Sequence, residues 1–166
     1  VEEIQITADF LNENRAEFAL LHCNSTYPAP FHDINLSWMA KLKEIHPLIG
    51  YSGHERGISV TLAAVGLGAK IIERHFSFDR GMEGPDHAAS LEPDEFEQLV
   101  AGVREIEQAL GDGVTRSVSQ GELINRENLA KSLIAAEDIA EGTIITPKHI
   151  AVRSPGQGLS AQNYEK

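Results

Sequence analysis

The run Leu48-Ile49-Gly50-Tyr51 is followed by an apolar, Ala-rich segment at 58–67, and then by Lys70-Ile71-Ile72-Glu73-Arg74-His75-Phe76. The two outer runs have the length of buried strands, and the segment between them has the apolar content of a helix. A strand, a crossover helix and a second strand within about 30 residues form the unit from which parallel sheets are built. We therefore predict neighbouring parallel strands in an α/β fold.

The same unit is repeated on both sides of this segment. Phe18-Ala19-Leu20-Leu21-His22-Cys23 predicts an earlier strand, and 36–45 predicts the helix that follows it and stops before Pro47. A helix is also predicted from Ile4, ending around Asn12 to Asn14, and another is predicted to begin at Pro93. Three consecutive strand-helix units favour a parallel sheet with crossover helices, and both a barrel and an open sheet satisfy this pattern.

The chain changes character after residue 111. Residues 112–127 are polar with poor periodicity, which is typical of an interdomain linker. Beyond it, short strands are predicted at 131–136, 143–146 and 150–153, with a Glu141-Gly142 turn. These elements indicate a small β-rich module.

Composition excludes several classes of function. The chain has 166 residues with 42% hydrophobic content, and its 25 acidic and 14 basic residues give a net charge of -11. Nucleic acid and anionic membranes are poor partners for such a chain, and no apolar stretch approaches the roughly 20 residues of a membrane helix. The single cysteine, Cys23, allows no internal disulfide and predicts a reducing compartment, with the cytoplasm as the default.

Alternation of side chains along strands predicts a candidate site. Ser52 and His54 share one face of their strand, and Glu73 and His75 share one face of the next. Neighbouring strands lie about 4.8 Å apart, so the two imidazoles can reach one divalent ion, which would keep open positions for water or a carbonyl oxygen. Glu73 could orient a ligand. The alternative is that the histidines are ordinary polar residues at strand ends.

Signals for phosphate recognition are weak. Ser25, Ser52 and nearby glycines could present hydroxyl and amide groups to an anion, although turn formation explains the same residues equally well. His87 lies in Gly84-Pro85-Asp86-His87, which fits either a turn or a substrate-binding loop. The sequence contains no P-loop and no Gly-rich dinucleotide fingerprint.

Taken together, the motifs resemble the sialic acid synthase family, which includes N-acetylneuraminate, legionaminate and pseudaminate synthases and spore coat polysaccharide protein E. The resemblance covers essentially the whole chain. It is carried, in order, by His22-Cys23-Asn24-Ser25-Thr26-Tyr27-Pro28-Ala29-Pro30, Gly50-Tyr51-Ser52-Gly53-His54, Ile72-Glu73-Arg74-His75-Phe76, and Gly84-Pro85-Asp86-His87 followed by Ser90-Leu91-Glu92-Pro93.

The resemblance implies a TIM (β/α)8 barrel followed by a small SAF, or antifreeze-like, domain. Residues 1–111 would then be the C-terminal part of the barrel with strands six to eight, residues 112–127 a linker, and 128–166 the beginning of the SAF domain. The first residue is Val1 rather than Met, so we expect a C-terminal fragment of such an enzyme, inactive by itself.

The activity implied by the resemblance is condensation of phosphoenolpyruvate with an N-acetylated aldose, typically N-acetylmannosamine, giving a nonulosonic acid and phosphate. In that family a divalent metal, most often Mn²⁺ with Mg²⁺ as the alternative, activates the sugar aldehyde. Carbon 3 of phosphoenolpyruvate attacks this aldehyde, water adds at carbon 2, and phosphate leaves. A domain-swapped homodimer is expected for the full-length enzyme.

Residue roles are implied by position within the motifs. His54 and His75 would be the metal ligands and, with Glu73, the catalytic residues. The residues expected to bind substrate are Ser25, Ser52, Tyr27, Asp86, Arg74 and Arg153.

Within that group, the resemblance assigns Ser25 and Ser52 to phosphoenolpyruvate and Tyr27 and Asp86 to the sugar. Arg74 shares the motif of Glu73 but has the opposite parity, so it can instead point into the helical layer.

Two positions depart from the pattern of many members. Gly53 stands where many bacterial members have Asp, although the Gly form also occurs in the family. Many members have an Arg directly before the Pro, and Ser154 stands at that position here. The neighbouring Arg153 would reach the sugar in a partner subunit's site.

Two alternatives to sialic acid synthesis remain open. One is the same phosphoenolpyruvate chemistry on another sugar, of the legionaminate or pseudaminate type. The other is a stand-alone metal- or carbohydrate-binding module without turnover.

Overall fold

The computed structural model describes residues 2–164 and confirms the α/β class. Residue 1, where the first predicted domain begins, and residues 165–166, where the last one ends, lie outside the described residues. The helices are α1 Glu2–Glu13, α2 Phe31–Ile34, α3 Met39–Ile45, α4 Ser59–Gly66, α5 Pro93–Leu110 and α6 Gln120–Leu129. The strands are β1 Leu20–Cys23, β2 Ile49–Gly53, β3 Ile71–Arg74, β4 Ser132–Ala135 and β5 Ile150–Arg153. Short 3-10 turns cover Leu36–Trp38, His87–Ala89, Pro147–His149 and Ala161–Asn163.

The chain divides into two compact units, Val1–Asp112 and Gly113–Lys166. In the first unit, β1, β2 and β3 form a parallel sheet in sequence order, as predicted. The register pairs Cys23 with Ser52 and Ser52 with Glu73, so the carboxyl ends of all three strands meet at one edge. Parallel order requires crossover helices, and α3 and α4 fill that role.

The core lies where α3 and α4 cover the sheet. Ile49 and Tyr51 of β2 are each 1% exposed and pack with Met39 of α3 and Ala64 of α4. Gly50 leaves no room for a side chain, because a Cβ there would lie 2.5 Å from the carbonyl oxygen of Ile71. Close approach of β2 and β3 thus depends on glycine at this position.

Helix α5 begins at Pro93, as predicted, and packs against α4. Glu92 and Glu95 form a reciprocal capping box at its N-terminus, which satisfies two otherwise unpaired amide groups. Leu99 is its buried residue, and the helix ends before Gly111, whose φ of +59° favours glycine.

The second unit differs from the prediction in two places. Most of α6 lies in the predicted linker 112–127. The Ser119 hydroxyl caps this helix by accepting a hydrogen bond from the Glu122 amide. Strands β4 and β5 match two of the predicted strands, and they pair antiparallel. The strand predicted at 143–146 is wrong: Ile144 and Ile145 are 84% and 62% exposed, and Thr146 instead begins the turn Pro147–His149. Two adjacent apolar residues suggested burial there that the structure does not provide.

No described helix is both long enough and apolar enough to cross a membrane.

Candidate active site

The carboxyl ends of β2 and β3 carry the candidate site. Backbone pairing between these strands extends to Gly53 opposite Arg74, so His54 and His75 each lie one residue beyond the last pair. On the same face, Ser52 stands opposite Glu73 and donates a 2.6 Å hydrogen bond to the carboxylate. The predicted sharing of faces is therefore observed, because strand side chains alternate.

The two histidines meet as the sequence predicts. Their ring centroids are 5.0 Å apart with an interplanar angle of 77°. One ligand atom each from His54, Glu73 and His75 can lie within 4.8 Å of the others, a spacing suited to one metal ion. Imidazole nitrogen with a carboxylate oxygen is a donor set that divalent first-row metals accept.

His54 is held firmly in position. Its ring is buried, and Nδ1 lies 2.6 Å from the carbonyl oxygen of Asn24, so Nδ1 is the donor and Nε2 keeps its lone pair for a ligand. The His54 carbonyl in turn accepts from the amide of Ala29 at 3.0 Å. The exposed thiol of Cys23 lies 3.8 Å from His54 Nδ1. Hydrogen bonds of this kind fix the tautomer and the ring direction of a metal-binding histidine.

Tyr27 forms one wall of the site. Its ring stacks on His54 with centroids 4.1 Å apart and lies 5.5 Å from the ring of His75. Desolvation, followed by electrostatic interactions with Cys23, Asp86 and Glu73, raises the pKa of the Tyr27 phenol. The phenol therefore stays protonated near neutral pH and can donate a hydrogen bond. Ser25 lies on the same loop and is exposed.

A second wall comes from the loop between β3 and α5. Asp86 places a carboxylate oxygen 3.9 Å from His75 Nδ1, and its side chain is 57% exposed. The buried Ser77 hydroxyl lies 2.8 Å from His87 Nδ1, which ties this loop to the end of β3. An open pocket of about 340 Å³ is lined by His75, Phe76, Gly84, Pro85, Asp86, His87 and Ser90.

Arg74 is not brought to this site. Its side chain is fully buried and forms a 3.1 Å ion pair with Glu55. Its guanidinium also donates to the Thr61 hydroxyl of α4 at 2.8 Å. The structure thus corrects the expectation that Arg74 contacts substrate, because its parity directs it to the α4 side of the sheet, opposite Glu73.

Glu55 was missed by the sequence reasoning. It is 0% exposed, and the Tyr51 hydroxyl donates to its carboxylate at 2.7 Å. Burial, the hydrogen bond to Glu55 and the charge of Glu55 raise the pKa of the Tyr51 phenol. The available signal was parity: Tyr51, Gly53 and Glu55 alternate onto one face, and Arg74 stands opposite Gly53 on the neighbouring strand.

Arg153, the last predicted substrate-binding residue, lies in the second unit. It ends β5, opposite Ser132 of β4, and is exposed.

Sequence comparison covers both units. Residues 1–115 match the NeuB family and residues 130–166 match the SAF domain. N,N'-diacetyllegionaminic acid synthase of Campylobacter jejuni is 44% identical over 168 residues, covering 99% of this chain and 50% of that protein. N-acetylneuraminate-9-phosphate synthase of Homo sapiens is 44% identical over 145 residues, covering 86% of this chain and 39% of that protein. The chain spans half or less of the length of these relatives.

Solved structures show the same relationship. The N-acetylneuraminic acid (sialic acid) synthetase of Leptospira borgpetersenii, in complex with citrate, superposes with a TM-score of 0.68 at 38% identity, over 78% of this chain and 46% of that chain. The spore coat polysaccharide biosynthesis protein spsE of Bacillus subtilis gives 0.64 at 31% identity, over 99% of this chain and 51% of that chain. Since the family match covers well over half of the sequence, this chain belongs to the NeuB family, the group of sialic acid synthases.

Proposed function

We propose that the full-length protein condenses phosphoenolpyruvate with an N-acetylated aldose to give a nonulosonic acid and phosphate. The observation that carries this proposal is the convergence of His54, Glu73 and His75 beside Tyr27 and Asp86 at the carboxyl ends of parallel strands. Relatives named as legionaminic, neuraminic and pseudaminic acid synthases support the same class of reaction.

His54 and His75 would hold a divalent metal, with Mn²⁺ the first choice and Mg²⁺ the alternative. The donor set fits such an ion, because both imidazoles and the Glu73 carboxylate lie within 4.8 Å of one another. When bound, the ion would act as a Lewis acid toward a carbonyl oxygen. Glu73 accepts the Ser52 hydrogen bond, which keeps its carboxylate on the face of the two histidines.

The remaining side chains would position the two substrates. Ser25 and Ser52 can donate hydroxyl hydrogen bonds to phosphoenolpyruvate, and Asp86 can accept hydrogen bonds from sugar hydroxyls. The protonated Tyr27 phenol can donate to the sugar. In the reaction, carbon 3 of phosphoenolpyruvate bonds to the aldehyde carbon, a water oxygen adds at carbon 2, and cleavage of the carbon 2–oxygen bond releases phosphate.

This chain would supply only part of the barrel. We propose that β1, β2 and β3 are barrel strands six to eight. The pocket beside His75 and Asp86 is lined by no Lys or Arg among the described residues, although phosphoenolpyruvate carries several negative charges. Cationic side chains for that substrate would therefore come from the first five strands of the full-length protein, which we expect in the cytoplasm. A domain-swapped homodimer would bring Arg153 to a partner's sugar site.

The test is phosphate release by the purified full-length protein. Phosphoenolpyruvate is supplied with saturating N-acetylmannosamine or its diacetylated analogue, and the nine-carbon product is identified by mass. We expect release that stops when EDTA removes the metal and returns with Mn²⁺. Absence of release with every sugar tested would contradict the proposal.

Two other candidates give different results in the same assay. A legionaminate-type enzyme would turn over the diacetylated sugar in preference to N-acetylmannosamine. The match to the Campylobacter jejuni enzyme supports this candidate, because it covers 99% of this chain, against 86% for the human relative at the same 44% identity. A module without turnover would bind Mn²⁺ and release no phosphate.

A further inference from the structure

The backbone ladder between β2 and β3 stops just short of the two histidines. Its last pair is Gly53 with Arg74, and the next residues along each strand are His54 and His75. The separation of the two imidazoles therefore depends in part on contacts that join the two chain segments beyond the ladder.

The guanidinium of Arg74 makes that connection. It extends from the residue before His75 to the residue after His54, where Nη2 donates to the Glu55 carbonyl oxygen at 2.6 Å. Nη1 donates to the Glu55 carboxylate at 3.1 Å and to the Gly57 carbonyl oxygen at 2.8 Å. One side chain thus fixes both the backbone and the side chain of the segment that follows His54.

The Glu55 carboxylate accepts two further hydrogen bonds. The Tyr51 hydroxyl donates to one of its oxygens at 2.7 Å, and the Thr61 hydroxyl donates to the other at 3.0 Å. The side chains of Glu55 and Arg74 are both 0% exposed, so water does not compete for these bonds. The carboxylate consequently has little freedom to shift.

Arg74 is suited to this task by the shape of its head group. Its Nε is the one buried side-chain nitrogen or oxygen without a partner among residues 2–164, so the guanidinium is placed by its two terminal nitrogens. The planar fork reaches the backbone and carboxylate acceptors together, which a single ammonium group cannot do.

We propose that the buried Glu55–Arg74 pair is a positioning device that sets the distance between His54 and His75 for metal binding. The inference rests on the proposed metal site and adds two positioning residues that touch neither the metal nor substrate. Loss of the fork would free the segment after His54 and widen the distribution of distances between the rings. Metal affinity would then fall, because supporting residues around metal sites typically contribute 10- to 100-fold.

The test measures Mn²⁺ affinity of the full-length protein by titration calorimetry at 10 °C, below the unfolding midpoint of every variant used. Glu55→Gln and Arg74→Lys each keep approximate shape, and we expect the Mn²⁺ dissociation constant to rise about tenfold or more in both. Leu99→Ala is the matched control, since Leu99 is a buried residue of α5 and its truncation lowers stability without removing a hydrogen bond of the pair. Its Mn²⁺ affinity should stay within twofold of wild type.

Three results would overturn the inference. If wild type binds Mn²⁺ and both variants bind within twofold of it, the pair is merely structural and the proposed function stands. If Leu99→Ala weakens binding as much as the pair variants do, loss of general stability explains the effect. If wild type binds no Mn²⁺, the proposed metal site falls and the inference falls with it. Should Glu55→Gln not fold, Arg74→Lys alone decides the first of these results, because it removes the fork that joins Arg74 to Glu55 and Gly57.

Discussion

Ser52 and Glu73 stand opposite each other on β2 and β3, joined by a 2.6 Å hydrogen bond from the hydroxyl to the carboxylate. The bond holds a negative charge beside His54 and His75, where it favours a cation. It also occupies the hydroxyl proton that Ser52 would donate to phosphoenolpyruvate. Binding of that substrate would therefore require Ser52 to exchange one acceptor for another.

Replacement of Ser52 by Ala tests this exchange. A hydrogen bond to a charged group contributes about 1.5–3 kcal/mol, so we expect the KM for phosphoenolpyruvate to rise at least tenfold in the full-length enzyme. Steady-state phosphate release at saturating sugar measures it. Ser37→Ala is the control, because Ser37 is exposed in the turn before α3. An unchanged KM would remove Ser52 from the substrate site.

Replacement of His75 by Ala tests the metal site. We expect loss of metal-dependent turnover and of tight Mn²⁺ binding, because one imidazole and one carboxylate remain from the cluster. Phosphate release and the Mn²⁺ stoichiometry should be measured together on the full-length protein. His32→Ala serves as control, since the His32 side chain is 82% exposed on α2. Near-normal activity with tight Mn²⁺ binding would remove His75 from the ligand list.

The part of the site on strands could be predicted from the sequence, because alternation is a local geometric rule. It placed Ser52, His54, Glu73 and His75 on one face, as the structure does. Tyr27 and Asp86 lie in loops, where alternation ends. The loop of Asp86 fitted a turn as well as a substrate-binding loop, and only the family resemblance gave the two residues a role. The buried role of Glu55 depends on its pairing across strands, which a single strand pattern does not contain.

The two errors in the second unit also arise because a local sequence pattern does not contain the contacts that decide the structure. Helix α6 lies in polar sequence, so apolar periodicity gave no signal, whereas the Ser119 and Glu122 capping box would have indicated its beginning. The apolar pair Ile144-Ile145 suggested a strand, but both side chains are exposed and no strand includes them among the described residues. Short apolar runs predict strands only when another surface buries them.

Gly53 and Glu55 should show strong energetic coupling. A Cβ at Gly53 would lie 2.8 Å from the Glu55 carboxylate and 2.9 Å from Arg74 Cδ, so Gly53→Asp should destabilise the protein by about 2–3 kcal/mol. In Gly53→Asp/Glu55→Thr, the new carboxylate takes the vacated space beside Arg74. Chemical unfolding of all four proteins should give a favourable coupling of about 1–2 kcal/mol. Additive effects would show that position 53 cannot supply the partner of Arg74.

The cap of α6 should depend on pH. Hydrogen bonds with the Ser119 amide, the Arg116 guanidinium and the Ser119 side chain lower the pKa of Glu122 in the folded chain. This contribution is present above the unfolded pKa and is lost as pH falls through the lowered folded pKa. Amide exchange across 120–129, corrected for intrinsic rates, should therefore show less protection in acid than at pH 7.

Ser119→Ala should cost about 1 kcal/mol, or roughly fivefold in amide protection of α6 at pH 7. Ser117→Ala, at an exposed position before the cap, should leave protection unchanged. Equal protection in both variants would contradict the cap.

Residues 1–166 alone should show no synthase activity. The described sheet has three strands with β1 and β3 at its edges, and the pocket beside Asp86 is lined by no Lys or Arg in the part of the chain that the structure describes. Unpaired edges favour association, and an anionic substrate without cationic partners binds weakly. Phosphate release should be measured with this chain alone, with a separately produced N-terminal portion, and with both together. We expect release only from the mixture, because the N-terminal portion would pair with the open edges and supply the cations. Release from residues 1–166 alone would show that these strands already contain a complete site.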